Sequence, residues 1–256
     1  MSVYAFLYLP LIVLGVFSFN ASRIATWTGF TWQWYGEVFG DGLLWEGTRN
    51  SLVIGITTTA ISTVLGTLAG YSLWKTKAPV LTNSLYLSLV TPEVLAGVSL
   101  LLLFQLLFRV VHLRLGMHTV ILAHVSFSLV YVVLVVLSRL RYFDRDLEDA
   151  ALDLGATPWD AFWRVTVPLL RPGIIAAALL CFTVSFDDYV ITSLVAGIDS
   201  QTLPMLIYAM ARKGVSPAVN ALSVLITVVF GGFILAADKL EQRSAQKLSA
   251  ERNSTR

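Results

Sequence analysis

The chain has 256 residues, 56% of them hydrophobic and 13% charged, with a formal net charge of +2 and a mean hydropathy of +0.74. A water-soluble domain of that length carries about twice the charged fraction, so these figures exclude a soluble globular protein and require an integral membrane one.

A helix needs roughly 20 mostly apolar residues to cross about 30 Å of hydrocarbon. Six such stretches follow one another, at about Val3 to Phe19, Asn50 to Trp74, Val80 to Phe108, Thr119 to Ser138, Gly173 to Leu194 and Pro217 to Ala237. Alternating segments of about 10 residues, as in a membrane barrel, are missing. The expected fold class is an all-α integral membrane protein, one transmembrane domain over residues 1–256 with six transmembrane helices.

The first span is short and carries Pro10; a secretory signal peptide is its rival, although Met1 and Ser2 supply no basic region ahead of it. Trp27, Trp32, Trp34, Tyr35 and Trp45 follow in the next loop. Their rings suit a membrane interface, with a docking surface for an external partner as the alternative. In the second span Gly66 and Gly70, continued by Thr63 and Ala69, would admit a close neighbour from this chain or another subunit. Pro92 should bend the third span beside Glu93 and free a carbonyl, which is tolerated where helices line a cavity.

His112, His118 and His124 are six apart, which does not put two metal ligands on one helical face, so no metal site is expected. His124, inside the fourth span, reads as an interhelical hydrogen-bond donor. The single Cys181 lies in the fifth span and rules out an intrachain disulfide or a thiolate metal site. The tail from Asp238 to Arg256 alternates charge signs and reads as a solvated end.

With six spans both termini share a side. That side holds Lys75, Lys77, Arg139, Arg141, Arg145, Arg164, Arg171, Lys239, Arg243, Lys247, Arg252 and Arg256, leaving Arg23, Arg49, Arg109, Arg114, Arg212 and Lys213 opposite. The excess of basic residues places both termini, and the loop at about residues 144–172, in the cytoplasm.

That loop carries its own signals. Asp144, Asp146, Glu148 and Asp149 crowd the start of a short helix, where they complement its dipole, and Gly155 stops it. Thr157 caps a second helix with Pro158 at its first position and Asp160 three residues after the cap. This helix should run to about Thr166, present Trp159, Phe162, Trp163 and Val165 on its exposed side, and end at Pro168. Its aromatics either pack on the chain's own spans or fill a groove on a partner.

The stretch Asp149-Ala150-Ala151, then Gly155, then Val165-Thr166-Val167-Pro168, resembles the EAA motif of ATP-binding-cassette importer permeases: Glu-Ala-Ala, three residues, Gly, nine residues, Ile-x-Leu-Pro. Spacing matches throughout; Asp149, Val165 and Val167 replace Glu, Ile and Leu with retention of charge or apolar character. The resemblance extends to the second permease subunit of spermidine and putrescine importers, through Phe19 to Arg23, Leu122 to Phe127, Ser185 to Val190 and Val215 to Leu222. It implies that Gly155 to Pro168 is a coupling helix docking on a cytoplasmic ATPase, with Asp149, Ala150, Ala151, Gly155, Trp159, Phe162, Trp163 and Pro168 as coupling residues.

It also implies a bacterial inner membrane location and three further partners besides the ATPase dimer: a second homologous permease, an extracytoplasmic solute-binding protein and the lipid bilayer. No nucleic acid is expected. No GxxxxGK[ST] phosphate loop occurs, so ATP and magnesium belong to the partner and this chain is expected to hold no cofactor and to be no enzyme. The rival readings are a permease of the same type for another small cationic or organic solute, and a stand-alone integral membrane enzyme or proton-coupled carrier.

Glu93, Asp187 and Asp188 are the acids inside the spans, where a charge costs at least about 2.5–3.5 kcal/mol unless it faces protein or water. Counted at about 1.5 Å per residue, Glu93 and Asp187 share one depth. On a continuous helix Asp188 would share its face with Ser185 and Thr192, making it the better candidate for a wet pathway. The expectation is an acidic collar of Glu93 and Asp188, with Asp187 and the ring of Phe186 or Tyr189, that passes a polycation. The alternative is that these acids pair with neighbouring helices and hold the bundle together.

Overall fold

A computed structural model describes residues 2–23, 26–111, 114–212, 217–229 and 231–232, and among these the regular structure is helical apart from one isolated β-bridge, Asn20 with Phe30. The helices are α1 (Ser2–Phe17), α2 (Gln33–Gly40), α3 (Gly42–Thr76), α4 (Pro79–Val90), α5 (Glu93–Val111), α6 (Met117–Leu140), α7 (Asp146–Asp153), α8 (Pro158–Ala161), α9 (Val167–Asp187), α10 (Val190–Val195) and α11 (Leu203–Arg212). A further helix, α12, covers Pro217–Val229. His112, Lys213, Val215, Ser216 and the charged tail lie outside the described residues.

Among the described residues, four helical stretches are long and apolar enough to cross a membrane: Gly42–Thr76, Glu93–Val110, Met117–Leu140 and Pro158–Asp187. They correspond to the second through fifth expected spans. The outermost two spans are represented by shorter apolar helices, Phe6–Phe17 and Pro217–Val229.

The chain divides into two compact units, one of residues 1–42 and 207–256, the other Leu43–Leu206. In the first, Asn20 is fully buried and organises the loop after α1. Its Nδ2 donates to the Thr26 carbonyl at 2.8 Å, its Oδ1 accepts from the Thr28 amide at 3.0 Å, and its carbonyl accepts from Trp34 Nε1 at 2.7 Å. Trp34 is therefore a core residue, whereas Trp27 and Trp32 stay exposed, as either an interfacial belt or a docking surface requires.

The second unit is a helix bundle whose described residues include two apolar centres. Trp74 of α3, Val132, Val136 and Leu140 of α6, and Ala177 and Cys181 of α9 form one; Ile54 of α3, Phe104 of α5, Ala123 of α6 and Ile191 of α10 belong to the other. The glycine pair of α3 packs within the chain: a Cβ on Gly66 would lie 2.6 Å from Val132 Cγ1, and one on Gly70 would lie 3.1 Å from Val136 Cγ1. Gly66→Leu therefore forces α3 away from α6, with an expected loss of about 1–3 kcal/mol visible as a lowered thermal midpoint.

Two expected spans are broken rather than continuous. Thr91 takes an extended conformation (ψ 126°) ahead of Pro92, so α4 ends and α5 begins anew at Glu93; the proline ring disfavours the helical conformation at the residue before it. The fifth span breaks at Asp188, whose ψ is 124°, before α10.

Pro168, in contrast, does not end its helix. Helical structure is unbroken over Pro158–Asp187, because Phe162–Thr166 forms one wide π turn in which the Val167 amide bonds the Phe162 carbonyl. Pro168 then falls in the first turn of α9, where its missing N–H goes unused and the widened ring ahead relieves the clash that proline makes inside a regular helix.

Candidate functional site

A cavity of about 690 Å³ opens in the second unit where the two helix breaks meet. Thr91 and Glu93 line it from the α4–α5 break, Ser126 and Tyr131 from α6, and Asp187 and Tyr189 from the α9–α10 break. The breaks bring the acids of two separate spans to a common chamber, as their equal depth implied.

Glu93 and Asp187 are both exposed, and among the described residues neither takes part in a hydrogen bond or ion pair. Glu93 opens α5, where the positive end of the helix dipole favours its carboxylate. Asp187 closes α9, where its charge adds to the negative end of the dipole. That side of the cavity therefore attracts cations.

Asp188 is placed differently from the expectation. Its side chain is 7% exposed and directed into the protein. Oδ1 accepts from the Ile191 amide at 3.3 Å and Oδ2 from the Thr192 amide at 2.7 Å, which makes Asp188 the cap of α10. The Thr192 hydroxyl donates to Oδ2 at 2.7 Å. Asp188 also lines the cavity, but Asp187 is the more exposed of the two. A helical wheel assumes 100° per residue, and the break at Asp188 resets the rotation, leaving Asp187 open in the cavity while the Asp188 carboxylate turns toward the first turn of α10.

His124, 1% exposed, completes this inner network. Its Nδ1 lies 2.7 Å from Ser185 Oγ, its Nε2 2.9 Å from Thr192 Oγ1 and 3.4 Å from Asp188 Oδ2. With the Thr192 proton committed to Asp188, Thr192 Oγ1 accepts from Nε2–H and Nδ1 accepts from the Ser185 hydroxyl. The network assigns this tautomer. His124 is the interhelical donor expected from sequence, joining α6 to both sides of the α9–α10 break.

Tyr189 lines the cavity as expected, whereas Phe186 stacks on Phe182 at 5.7 Å between centroids. Tyr131 was not anticipated; its signal was a polar-edged aromatic deep in an apolar span.

A second feature lies between α7 and α9. Gly155 turns the chain with φ +89°, a left-handed value that favours glycine. Thr157 Oγ1 accepts from the Asp160 amide at 3.1 Å and donates to Asp160 Oδ2 at 2.6 Å, as the capping signal required. Gly155→Ala meets nothing within 4 Å, so its cost is backbone strain alone, about 1 kcal/mol; an unchanged thermal midpoint would mean that the turn relaxes.

Asp149 and Ala150 are exposed, Ala151 half-buried. Trp159 and Trp163 are 62% and 49% exposed, but Phe162 is 2% exposed, which corrects its expected place on the outer face. Its ring lies 4.6 Å from that of Tyr71 on α3. The continuous helix packs along α3, so Trp159 and Trp163, four residues apart, stay outside while Phe162 turns in.

Over residues 62–249 the chain matches the family of binding-protein-dependent transport system inner membrane components. It belongs to that family. This permease is 42% identical over 240 residues to the putrescine transport system permease protein PotI of Escherichia coli strain K12, covering 90% of this chain and 85% of that protein. To the spermidine/putrescine transport system permease protein PotC of the same strain it is 35% identical over 247 residues, 93% of this chain and 92% of that one.

The permease shares its fold with a bacterial alginate ABC transporter solved with a pentasaccharide-bound periplasmic protein (TM-score 0.70, 16% identity, 90% of this chain and 86% of that one). It also resembles the MetNI methionine ABC transporter in an inward-facing form (TM-score 0.59, 18% identity, 77% and 92%). The chain is a multi-pass inner-membrane transport subunit rather than an enzyme.

Proposed function

We propose that this permease forms half of the translocation path of an ATP-driven polyamine importer, with Glu93 and Asp187 as an acidic collar. The observation that carries the reading is the cavity in which two exposed carboxylates, one closing a broken helix, face Tyr131 and Tyr189. A flexible chain of ammonium groups suits two carboxylates, one of them at the negative end of a half-helix, with aromatic faces beside them. PotI and PotC, named for putrescine and spermidine/putrescine transport, point the same way.

In this reading α1 and α12 complete six spans and both termini are cytoplasmic. Trp159 and Trp163, on the loop from Gly155 to Pro168, dock on a cytoplasmic ATPase. A second permease subunit supplies the other half of the path, and an external binding protein delivers the solute. ATP and magnesium act in the ATPase alone.

The test is ATPase stimulation of the reconstituted complex by its binding protein, loaded with putrescine, spermidine or a neutral sugar. Stimulation and uptake are expected with the polyamines only. Equal stimulation by the sugar overturns the substrate, and uptake by this chain without ATPase subunits overturns the importer.

A further inference from the structure

Glu148 is a buried charge that the path and the docking face leave unused. It is 1% exposed, although it belongs to a short helix of otherwise half-buried and exposed residues. Its Oε1 accepts from the Tyr71 hydroxyl and pairs with Lys75 Nζ at 3.0 Å. Its Oε2 is buried and makes no hydrogen bond among the described residues.

Around it, three residues of one face of α3 are gripped from two directions. Arg145 Nη2 donates to the Trp74 carbonyl at 2.9 Å, and its guanidinium lies 4.2 Å over the Trp74 ring. Lys75 Nζ sits 5.5 Å over that same ring. From the other side, Phe162 covers Tyr71. Tyr71, Trp74 and Lys75 recur at the three- and four-residue spacing of a helix face, and Arg145 and Glu148 do likewise.

We infer that Glu148 is a positioning residue that locks the loop carrying Trp159 and Trp163 onto the end of α3, so that a push on the loop moves the spans instead of being absorbed by the loop. This rests on the proposed docking of that loop on an ATPase. Two rigid elements leave the grip: α3 itself, and the unbroken helix Pro158–Asp187, which ends at the cavity carboxylate. At about 1.5 Å per residue the latter is a rod of roughly 45 Å. A displacement at Trp159 reaches Asp187 only if the base of the rod is held against a fixed neighbour: Phe162 lies against Tyr71 of α3, and Glu148 and Arg145 fix α7, just ahead of the rod, to that same face. A buried ion pair adds little net stability over apolar residues of like volume, but removing one partner strands the other. Its distinctive contribution is orientation, because one carboxylate oxygen is shared by a phenol and an ammonium from successive turns of one helix.

The experiment uses the complete complex of this permease, its partner permease, ATPase and binding protein in proteoliposomes, and reads solute moved per ATP hydrolysed. Glu148→Gln keeps the shape and is expected to leave the ATPase bound and stimulated while uptake per ATP falls about tenfold, the scale on which residues in a coupling network act. Lys75→Met should do the same, and the double variant should be no worse than either, since the two residues act as one unit. Tyr71→Phe, which retains the packing on Phe162, provides a second readout with a smaller loss.

Wild-type uptake per ATP in Glu148→Gln, or losses that multiply in the double variant, overturns the inference. So does a Glu148→Gln complex that has shed its ATPase, because the residue would then serve docking. The docking reading fails separately, if Trp159→Ala with Trp163→Ala leaves the ATPase bound and coupled.

Discussion

Glu93→Gln combined with Asp187→Asn lowers polyamine uptake about 100-fold in the reconstituted complex while leaving subunit assembly intact. Each carboxylate offers a cation one charge-assisted hydrogen bond, worth about 1.5–3 kcal/mol. Two lost at the lower figure amount to about 3 kcal/mol, and every 1.4 kcal/mol is tenfold. Both side chains are exposed in the cavity and hold no other group among the described residues, so neutralising them strands nothing and the fold should survive. Asp188→Asn is the control. Its carboxylate caps α10 from the inside, so it should lower stability while changing the apparent affinity for polyamine less than Asp187→Asn. Uptake by the double variant at the wild-type rate, in an assembled complex, would sink the collar.

His124→Leu is expected to destabilise the complex by on the order of 3 kcal/mol, read as a fall in its thermal midpoint in detergent. The substitution leaves the Ser185 hydroxyl without its acceptor and removes the donor beside Thr192 and Asp188, all in a region shut off from solvent. Stranding a buried polar group costs about 1–3 kcal/mol, and stranding a buried charge costs more. Because His124 joins α6 to both sides of the α9–α10 break, its loss should also blur the position of Asp187. Uptake should fall at all substrate concentrations. His124→Gln, which keeps a donor and an acceptor, should recover part of the stability; equal damage from Gln and Leu would show that the hydrogen bonds contribute nothing.

Features governed by near neighbours in the chain were legible in sequence. Thr157 and Asp160 form their reciprocal cap, Gly155 takes its left-handed turn, and Pro92 interrupts its span, because each depends on backbone groups within a few residues. Gly66 and Gly70 announced a close approach without naming the neighbour; Val132 and Val136 supply it. Where direction mattered, the reading failed. Phe162 was expected outward with Trp159 and Trp163, yet a π turn and a neighbour at Tyr71 bury it. Glu148 was counted among dipole-stabilising acids, and nothing local shows that Lys75 and Tyr71, more than 70 positions away, enclose it.

By itself the sequence determined that this protein lives in a membrane, that its long apolar stretches form helices, that acids of two spans share a depth, and that a capped loop stands between the fourth and fifth spans. Those conclusions follow from how much apolar surface water rejects and from hydrogen bonds made within a turn or two. Only the tertiary structure decided that Asp187 stands open in the cavity while the Asp188 carboxylate, on the same lining, caps a helix, and that Glu148 rather than an exposed acid grips α3. A helix break rotates every side chain beyond it, and burial belongs to whichever distant helix arrives alongside; neither is encoded in the spacing of residues along one segment.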